Sequence, residues 1–219
     1  MPPAPGANRA EMINRRWTEP LRSPLALLLF FGTAAVGIVA DLWSKAAAVE
    51  HLKDALPVRF IPGLVHLTYT ENHGAVFGLG KGQIPVFLSV SVIAIGFLVF
   101  LFLTSGRARG YQLVLGMLLA GVIGNMYDRL KFGYVRDMIH GLPGWHWPDW
   151  VVRLLPMKWQ PATPGEGLEV FPWVFNIADS LLCVGVAAML VYSFVTEHRR
   201  KREAETLGDG EEKALKTAN

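Results

Sequence analysis

Four long stretches without a charged residue constrain what this chain can fold into. They cover residues 24–40, 84–104, 111–127 and 180–196. A helix needs about 20 residues to cross the hydrocarbon core of a bilayer, with roughly 17 as the lower end of the range. Backbone groups in lipid must find their hydrogen-bond partners inside a helix or a closed barrel. The sequence therefore predicts a membrane all-α protein built on a bundle of four transmembrane helices.

The residues that flank these runs divide the chain into three parts. The central transmembrane domain, 24–196, is predicted to hold spans at about 24–43, 84–104, 111–129 and 173–196. The tails 1–23 and 197–219 are predicted to be cytoplasmic. Lys and Arg concentrate in both tails and in the short 105–110 loop, and such residues flank the cytoplasmic side of membrane helices. The charged segment after Glu203 is predicted to be disordered.

Composition narrows the classes of function. The net charge is +3 and the pI is near 9.1, but the basic residues lie beside apolar runs, where membrane orientation explains them better than nucleic-acid binding. The single cysteine, Cys183, excludes an intrachain disulfide and is predicted to be a small core hydrophobe. No Cys/His cluster has zinc-site spacing. We therefore expect no metal, no other cofactor and no nucleic-acid partner.

The two outer loops carry patterns of their own. Residues 58–61 and 64–70 alternate apolar and polar side chains, and Pro62-Gly63 between them indicates a turn. We expect a small antiparallel β-sheet there, forming a cradle on the outer face. The loop 138–170 is rich in Pro and Trp, and because Trp favours the membrane interface, this extended loop is predicted to lie on the lipid headgroups. Its tryptophans are Trp145, Trp147, Trp150 and Trp159.

Polar residues stand at the ends of the predicted helices, where ionisable groups are costly. Asp41 and Lys45 are four residues apart, a spacing that predicts a salt bridge; direct contact with a substrate is the alternative. In the third span small residues recur every four positions and predict close approach of a neighbouring helix. They are Gly116, Ala120 and Gly124.

The small-residue stripe of the third span ends in charged residues. Asp128 continues the stripe, so its carboxylate is predicted to face protein rather than lipid. Arg129 beside it either neutralises Asp128 or donates to a main-chain carbonyl. In the last span Asn176-x-x-Asp179 has the form of a capping box, which predicts a helix start at this point. A site role for the same two residues is the other interpretation.

Three carboxylates, those of Asp128, Asp137 and Asp179, are predicted to meet at one outer boundary of the membrane. Two carboxylates held about 3 Å apart cannot both stay ionised, so they share a proton. The ionised group can then activate water while the protonated group polarises a carbonyl, which is the chemistry of peptide hydrolysis. A small proton-coupled transporter using the same carboxylates is the alternative function, and a purely structural network is a third.

Five ordered motifs flank the predicted spans. They are Asp41-x-x-x-Lys45, Asn72-x-Gly74-Ala-x-Phe77-Gly78, Gly124-Asn125-x-x-Asp128-Arg129, Gly133-x-Val135-x-Asp137 and Phe175-Asn176-x-Ala178-Asp179. In type and order they resemble the motifs of bacterial lipoprotein signal peptidase (signal peptidase II). The resemblance covers about residues 24 to 196.

The resemblance implies an aspartic endopeptidase of the bacterial inner membrane, with its active site near the extracytoplasmic face. Such an enzyme cleaves prolipoproteins before the diacylglyceryl-modified cysteine of the lipobox. Asp137 and Asp179 match the catalytic dyad. The residues implied to hold the substrate are Asn72, Gly74, Asn125, Arg129 and Asn176. Those implied to form a supporting polar shell are Asp41, Lys45 and Asp128. Membrane lipids and globomycin-type cyclic peptide inhibitors are the further partners that the resemblance implies.

The chain departs from the family pattern in two places. The interval from Asp137 to Asp179 is 42 residues, longer than expected, so that 141–172 forms an expanded outer loop. The segment before Asn125 reads Gly-Val-Ile-Gly in place of Gly-Gly-Ala-x-Gly, a change that affects helix packing and leaves the carboxylates in place.

Overall fold

A computed structural model of the protein describes residues 19–21, 23–74, 83–154, 156 and 167–217. Most of the tail 1–23 lies outside these described residues. So do Phe77 and Gly78 of the second motif, and Trp159 of the outer loop.

Four long helices, each apolar enough to cross a membrane, form the body of the described structure. Helix α1 runs over Pro24–Leu52 and contains a π-helical turn at Leu28–Gly32. The others are α2 (Ile84–Thr104), α3 (Arg109–Phe132) and α5 (Ile177–Thr217), with a short outer helix α4 (Asp149–Val152) before the last. The predicted fold class, four membrane helices with a small sheet, is confirmed.

The last helix differs from its predicted span at both ends. It begins at Ile177 rather than at 173, because Val174–Phe175 form a strand. At its other end the helix continues to Thr217, whereas the charged tail was predicted to be disordered. The tail is rich in Ala, Glu, Lys and Arg, which have high helix propensity, and this composition accounts for the difference.

Helix α3 is the centre of the bundle. Half of its most apolar window is buried inside the protein, against 22% or less for the other three helices. The predicted small-residue stripe is confirmed, since Gly116, Ala120 and Gly124 are all buried. A Cβ on Gly116 would lie 2.5 Å from the carbonyl oxygen of Phe30 in the π-helical turn of α1. The wide turn of α1 and the glycine of α3 thus allow their backbones to touch.

The outward faces of the helices carry large apolar side chains. The exposed ones include Val36, Val39, Trp43, Val90, Ile93, Phe97, Leu190 and Phe194. An apolar surface of this extent suits lipid rather than water. Cys183 is also exposed, on α5, so its predicted place in the core was wrong. Only 11% of the apolar window of α5 is buried, and most positions in that window therefore face outward.

A four-stranded antiparallel sheet lies at the end of the bundle where α1 and α3 end and α2 and α5 begin. Its strands are β1 (Val58–Ile61), β2 (Val65–Asn72), β3 (Val135–Gly141) and β4 (Val174–Phe175), in that spatial order. The predicted β1–β2 hairpin is confirmed. Strands β3 and β4 were not predicted, because β4 has only two residues and β3 follows directly on the end of α3 without a regular apolar and polar alternation. They matter for the site, since β3 follows α3 and β4 precedes α5.

Replacing Gly116 by Ala should destabilise the bundle, because the new Cβ would press against the Phe30 carbonyl and lie 3.0 Å from the Cβ of Thr33. Overpacking of this kind costs about 1–3 kcal/mol. The matched control is Gly96→Ala in α2, where a Cβ meets nothing within 4 Å; it should be neutral or slightly stabilising, since Ala favours helices. Thermal unfolding in detergent micelles measures both. Equal shifts in Tm for the two variants would contradict the packing described here.

Candidate active site

Asp137 lies at the sheet end of the bundle because α3 ends just before it. Gly133 adopts a left-handed conformation (φ 80°) and ends α3, a role for which glycine carries no Cβ penalty. The chain then reverses into β3, whose first residues are buried. Asp137 in that strand is only 1% exposed.

Asp179 is fixed by the start of α5. Asn176 precedes the helix, and its Oδ1 accepts a hydrogen bond from the backbone N–H of Asp179 at 2.9 Å. In return Asp179 Oδ2 accepts from the backbone N–H of Asn176 at 3.3 Å. These two bonds are the reciprocal pattern of a capping box, and the predicted capping box is confirmed.

Asn176 also contacts the other carboxylate. Its Nδ2 donates to Asp137 Oδ1 at 2.6 Å, so one asparagine holds both Asp137 and Asp179. The capping and site interpretations of Asn176 are therefore both compatible with the structure. Asp128 lies apart from this pair, because its carboxylate is bound to Arg136 at 2.6 Å.

Asn125 is the second amide of the site, and its orientation follows from its neighbours. Its Oδ1 accepts from Lys45 Nζ at 3.1 Å and from Asn176 Nδ2 at 3.2 Å. With the oxygen held by two donors, the Nδ2 group points the other way and donates to Asp179 Oδ1 at 2.8 Å. Lys45 thus acts on Asp179 through Asn125.

The segment after β2 closes the other side of the site. Asn72 Nδ2 donates to Asp137 Oδ2 at 3.0 Å, and its Oδ1 accepts from the Gly74 backbone N–H at 3.0 Å. The Arg129 guanidinium donates to the Gly74 carbonyl at 3.2 Å and stacks 4.8 Å from the Phe87 ring centroid. Of the two roles considered for Arg129, the structure shows the bond to a main-chain carbonyl.

A buried network of ion pairs lies next to the site and supports it. Lys45 pairs with Asp41 at 2.8 Å and lies 3.6 Å from Asp128, with all three side chains fully buried. Asp41 also accepts from the backbone N–H of Ala178 at 2.9 Å, which ties α1 to the start of α5. A Cβ on Gly124 would collide with the Asp41 carboxylate, so glycine is required where α3 passes. The predicted Asp41–Lys45 salt bridge is confirmed.

Sequence reasoning missed two residues of the site. Arg136 neutralises Asp128 through its side chain and also donates its backbone N–H to that carboxylate at 2.9 Å. The available signal was a basic residue inside an apolar stretch. Arg129, however, is adjacent to Asp128 in the sequence and was therefore the more obvious candidate for its partner. Phe87, which stacks on Arg129, looks like an ordinary lipid-facing residue and gave no signal.

The charge balance of the site favours one proton bound to its carboxylates. Its acids are Asp41, Asp128, Asp137 and Asp179, and its cations are Lys45, Arg129 and Arg136. If all seven were ionised the group would carry one uncompensated negative charge, which is costly where water is excluded. Burial, and then the negative charge of Asp179, raise the pKa of Asp137 to about 7. Hydrogen bonds from Asn72 and Asn176 only partly offset these effects.

Solved structures with the same architecture are membrane enzymes. One, described as a bacterial membrane enzyme structure determined by the in meso method at 2.3 Å resolution, aligns with a TM-score of 0.60 at 24% identity, covering 77% of this chain and 87% of that one. A second, determined by the same method at 1.9 Å, aligns with a TM-score of 0.58 at 23% identity, covering 76% and 90%. At these identities the likeness shows the fold.

Sequence relatives establish the family. The chain matches the signal peptidase (SPase) II family over residues 33–195. A lipoprotein signal peptidase of Rhodopirellula baltica is 38% identical over 176 residues, covering 76% of this chain and 71% of its own. Those of Chlorobium phaeobacteroides and Enterococcus faecalis are 35% and 30% identical, covering 75% and 80% of this chain and 94% and 93% of theirs. The chain belongs to the signal peptidase II family, and it is a membrane peptidase whose family removes signal peptides from prolipoproteins.

Replacing Lys45 by Met should strongly destabilise the protein, because Asp41 loses the cation that now lies 2.8 Å away and Asp128, 3.6 Å from the same ammonium, is left with Arg136 as its cation. Removing one partner of a buried ion pair costs about 3–5 kcal/mol. The matched control is Lys53→Met, whose half-exposed ammonium pairs with Glu71 at 3.4 Å; a surface pair is worth about 0–1 kcal/mol. Chemical unfolding in mixed micelles measures both, and a Lys45→Met protein as stable as the control would refute the network.

Proposed function

We propose that this protein is an aspartic endopeptidase that cleaves diacylglyceryl-modified prolipoproteins immediately before the lipidated cysteine, with Asp137 and Asp179 as its catalytic pair. The observation that carries the proposal is the joint binding of both carboxylates by Asn176. Membership of the signal peptidase II family supplies the substrate class.

In this mechanism the two aspartates take different roles. Asp137 has its pKa raised to about 7, so it is the group that carries the shared proton, and it donates this proton to the oxygen of the scissile carbonyl. Asp179 takes the role of the general base and accepts a proton from the attacking water. Together these transfers add the water oxygen to the carbonyl carbon and form a neutral tetrahedral diol, without building charge in a low-dielectric site.

The second half of the reaction reverses the proton transfers. Asp179 returns its proton to the nitrogen of the scissile bond, and the C–N bond breaks. Asp137 takes back a proton from one of the diol hydroxyl groups, which becomes the carbonyl of the released signal peptide. The pair is thereby reset with one proton between the two carboxyl groups.

The amides and the arginine around the pair are proposed to hold the substrate. Arg129 interacts electrostatically with both Asp179 and Asp137 and already binds the Gly74 carbonyl, so its guanidinium is suited to a main-chain carbonyl of a bound peptide. Asn125 and Asn176 orient the carboxylates, and Asn72 with Gly74 forms the outer wall. Globomycin-type cyclic peptides are proposed to bind at the same residues.

The proposed orientation puts both termini in the cytoplasm of a bacterial cell, in its inner membrane, with the site near the extracytoplasmic face. The turn between α2 and α3 supports it, because Arg107 and Arg109 lie there at the opposite end of the bundle from the sheet. The apolar outer faces of the helices are proposed to contact membrane lipids, within which the acyl chains of the substrate remain during cleavage.

Asp137→Asn and Asp179→Asn should each abolish cleavage, since an amide neither accepts nor releases the proton. Loss of a general acid or base costs about 10²–10⁴ in rate. The assay uses purified protein in detergent with a diacylglyceryl-modified prolipoprotein, and mass spectrometry locates the cut. The same precursor without the lipid should remain intact.

Two further variants separate catalysis from folding. Asp54→Asn removes an exposed carboxylate just past the end of α1 and should leave activity unchanged. Asp128→Asn weakens the contact to Arg136 and should lower stability. Substantial activity in either dyad variant, or an unchanged Tm in Asp128→Asn, would oppose these assignments.

A further inference from the structure

The two carboxylates of the proposed pair lie on chain segments that are connected by a very short stretch of β-sheet pairing. Asp137 lies on β3, and β4 leads directly into the cap that holds Asp179. These strands pair at only two positions, one of which is His140 opposite Val174. Between the strands the chain makes a long excursion, and ordering the ends of a long loop carries an entropic cost. Two residue pairs alone provide little stabilisation for two segments whose relative position sets the distance between the catalytic carboxylates.

A second set of contacts closes the excursion at its base. The backbone N–H of Trp147 donates to the Leu168 carbonyl at 2.8 Å, and that of Val170 donates to the Trp145 carbonyl at 2.7 Å. His146 and Glu169 form an antiparallel bridge between them. We call these two segments, 145–147 and 168–170, the neck. The neck brings the return arm of the loop back to the outgoing arm just before β4.

One side-chain pair connects the neck to β3. Glu169 Oε2 lies 3.4 Å from His140 Nε2, and its Oε1 accepts from the Gly144 backbone N–H at 3.4 Å. The His140 Nε2 atom is buried and has no hydrogen-bond partner among the described residues. A buried polar atom without a partner is unfavourable, and protonation of the imidazole would turn this atom into a charged donor facing the carboxylate.

We propose that Glu169 is a positioning residue, which fastens the neck to β3 by pairing with His140 and thereby keeps Asp137 against Asn176. This role rests on the proposed function, because it concerns the register of the two segments that carry the catalytic pair. Glu169 acts through His140 and the strand, and it does not touch the reacting atoms.

The charges around His140 set the direction of the pH effect. His66 lies directly opposite on β2, and Arg59 lies opposite His66 on β1. Asp137 is on the same strand as His140, and His146 is in the neck. The Arg59 guanidinium disfavours a positive charge on the His140 imidazole, whereas the Glu169 carboxylate favours it. The pairing with Glu169 is therefore stronger for a protonated His140 than for a neutral one, and this difference sets the direction of the pH dependence.

The test compares Glu169→Gln with wild type at two pH values taken from full pH profiles of kcat, so that a changed titration of the aspartate pair is seen separately from the loss of the Glu169–His140 pair. The variant should lose about tenfold in kcat at low pH, less than the roughly 100-fold that a 1 Å misplacement can cause, and should approach wild type at high pH, with KM little changed. Asp149→Asn, in α4 of the same loop, is the matched control and should keep full activity. Adding His140→Gln to Glu169→Gln should cause no further loss, because coupled residues are non-additive.

Hydrogen–deuterium exchange gives a readout that does not depend on activity. In Glu169→Gln the amides of Trp147 and Val170 and those of β3 should exchange faster than in wild type, and more so at low pH. An equal defect at both pH values, additive effects with His140→Gln, or unchanged exchange in the neck would overturn the role of Glu169. The exchange result and the activity result can be separated. If the neck amides exchange faster in Glu169→Gln while the wild-type protein cleaves no lipid-modified precursor, the contact between Glu169 and His140 is supported and the proposed function is refuted.

Discussion

The fold depends on the pairing of one buried cation. The Lys45 ammonium lies at the end of the membrane-spanning part of α1, fully buried, between the carboxylates of Asp41 and Asp128 and the amide oxygen of Asn125. An unpaired charge at this depth would cost far more than a packing contact returns. Three helices must therefore meet around it, α1 through Asp41, α3 through Asp128 and α5 through the Ala178 backbone that binds Asp41. Glycines on α3 make that close approach possible.

The site uses the same network for a different purpose. Lys45 fixes the oxygen of Asn125, which turns its amino group toward Asp179. Asn176 caps α5 and at the same time binds Asp137. Supporting charges and capping bonds thereby set the orientation of the two carboxylates before any substrate arrives. Preorganised polar groups of this kind cost no reorganisation during reaction, which suits hydrolysis at the boundary of a membrane.

Much of this arrangement could be predicted from local sequence. Uncharged runs predicted the four helices, alternation predicted the β1–β2 hairpin, and the Asn176-x-x-Asp179 spacing predicted the cap of α5, although the span itself was predicted from residue 173. The missed parts depend on contacts between distant segments. Strand β3 is defined mainly by its pairing with β2, and β4 by its pairing with β3, rather than by patterns of their own. Arg136 was not recognised as the partner of Asp128 because side-chain direction in β3 follows from this pairing. Cys183 was misplaced because apolar character in a membrane helix does not distinguish a lipid-facing position from a core position.

Infrared difference spectroscopy during pH titration tests the shared proton most directly. The carboxyl band of a protonated aspartic acid should disappear with a midpoint of about 7, the pKa to which burial and Asp179 raise Asp137. The band should be absent in Asp137→Asn, and in Asp179→Asn its midpoint should fall, because the second negative charge is gone. A wild-type protein whose carboxyl groups all titrate near the ordinary aspartate value of about 3.9, or a midpoint that Asp179→Asn leaves unmoved, would contradict the coupling of the two carboxylates.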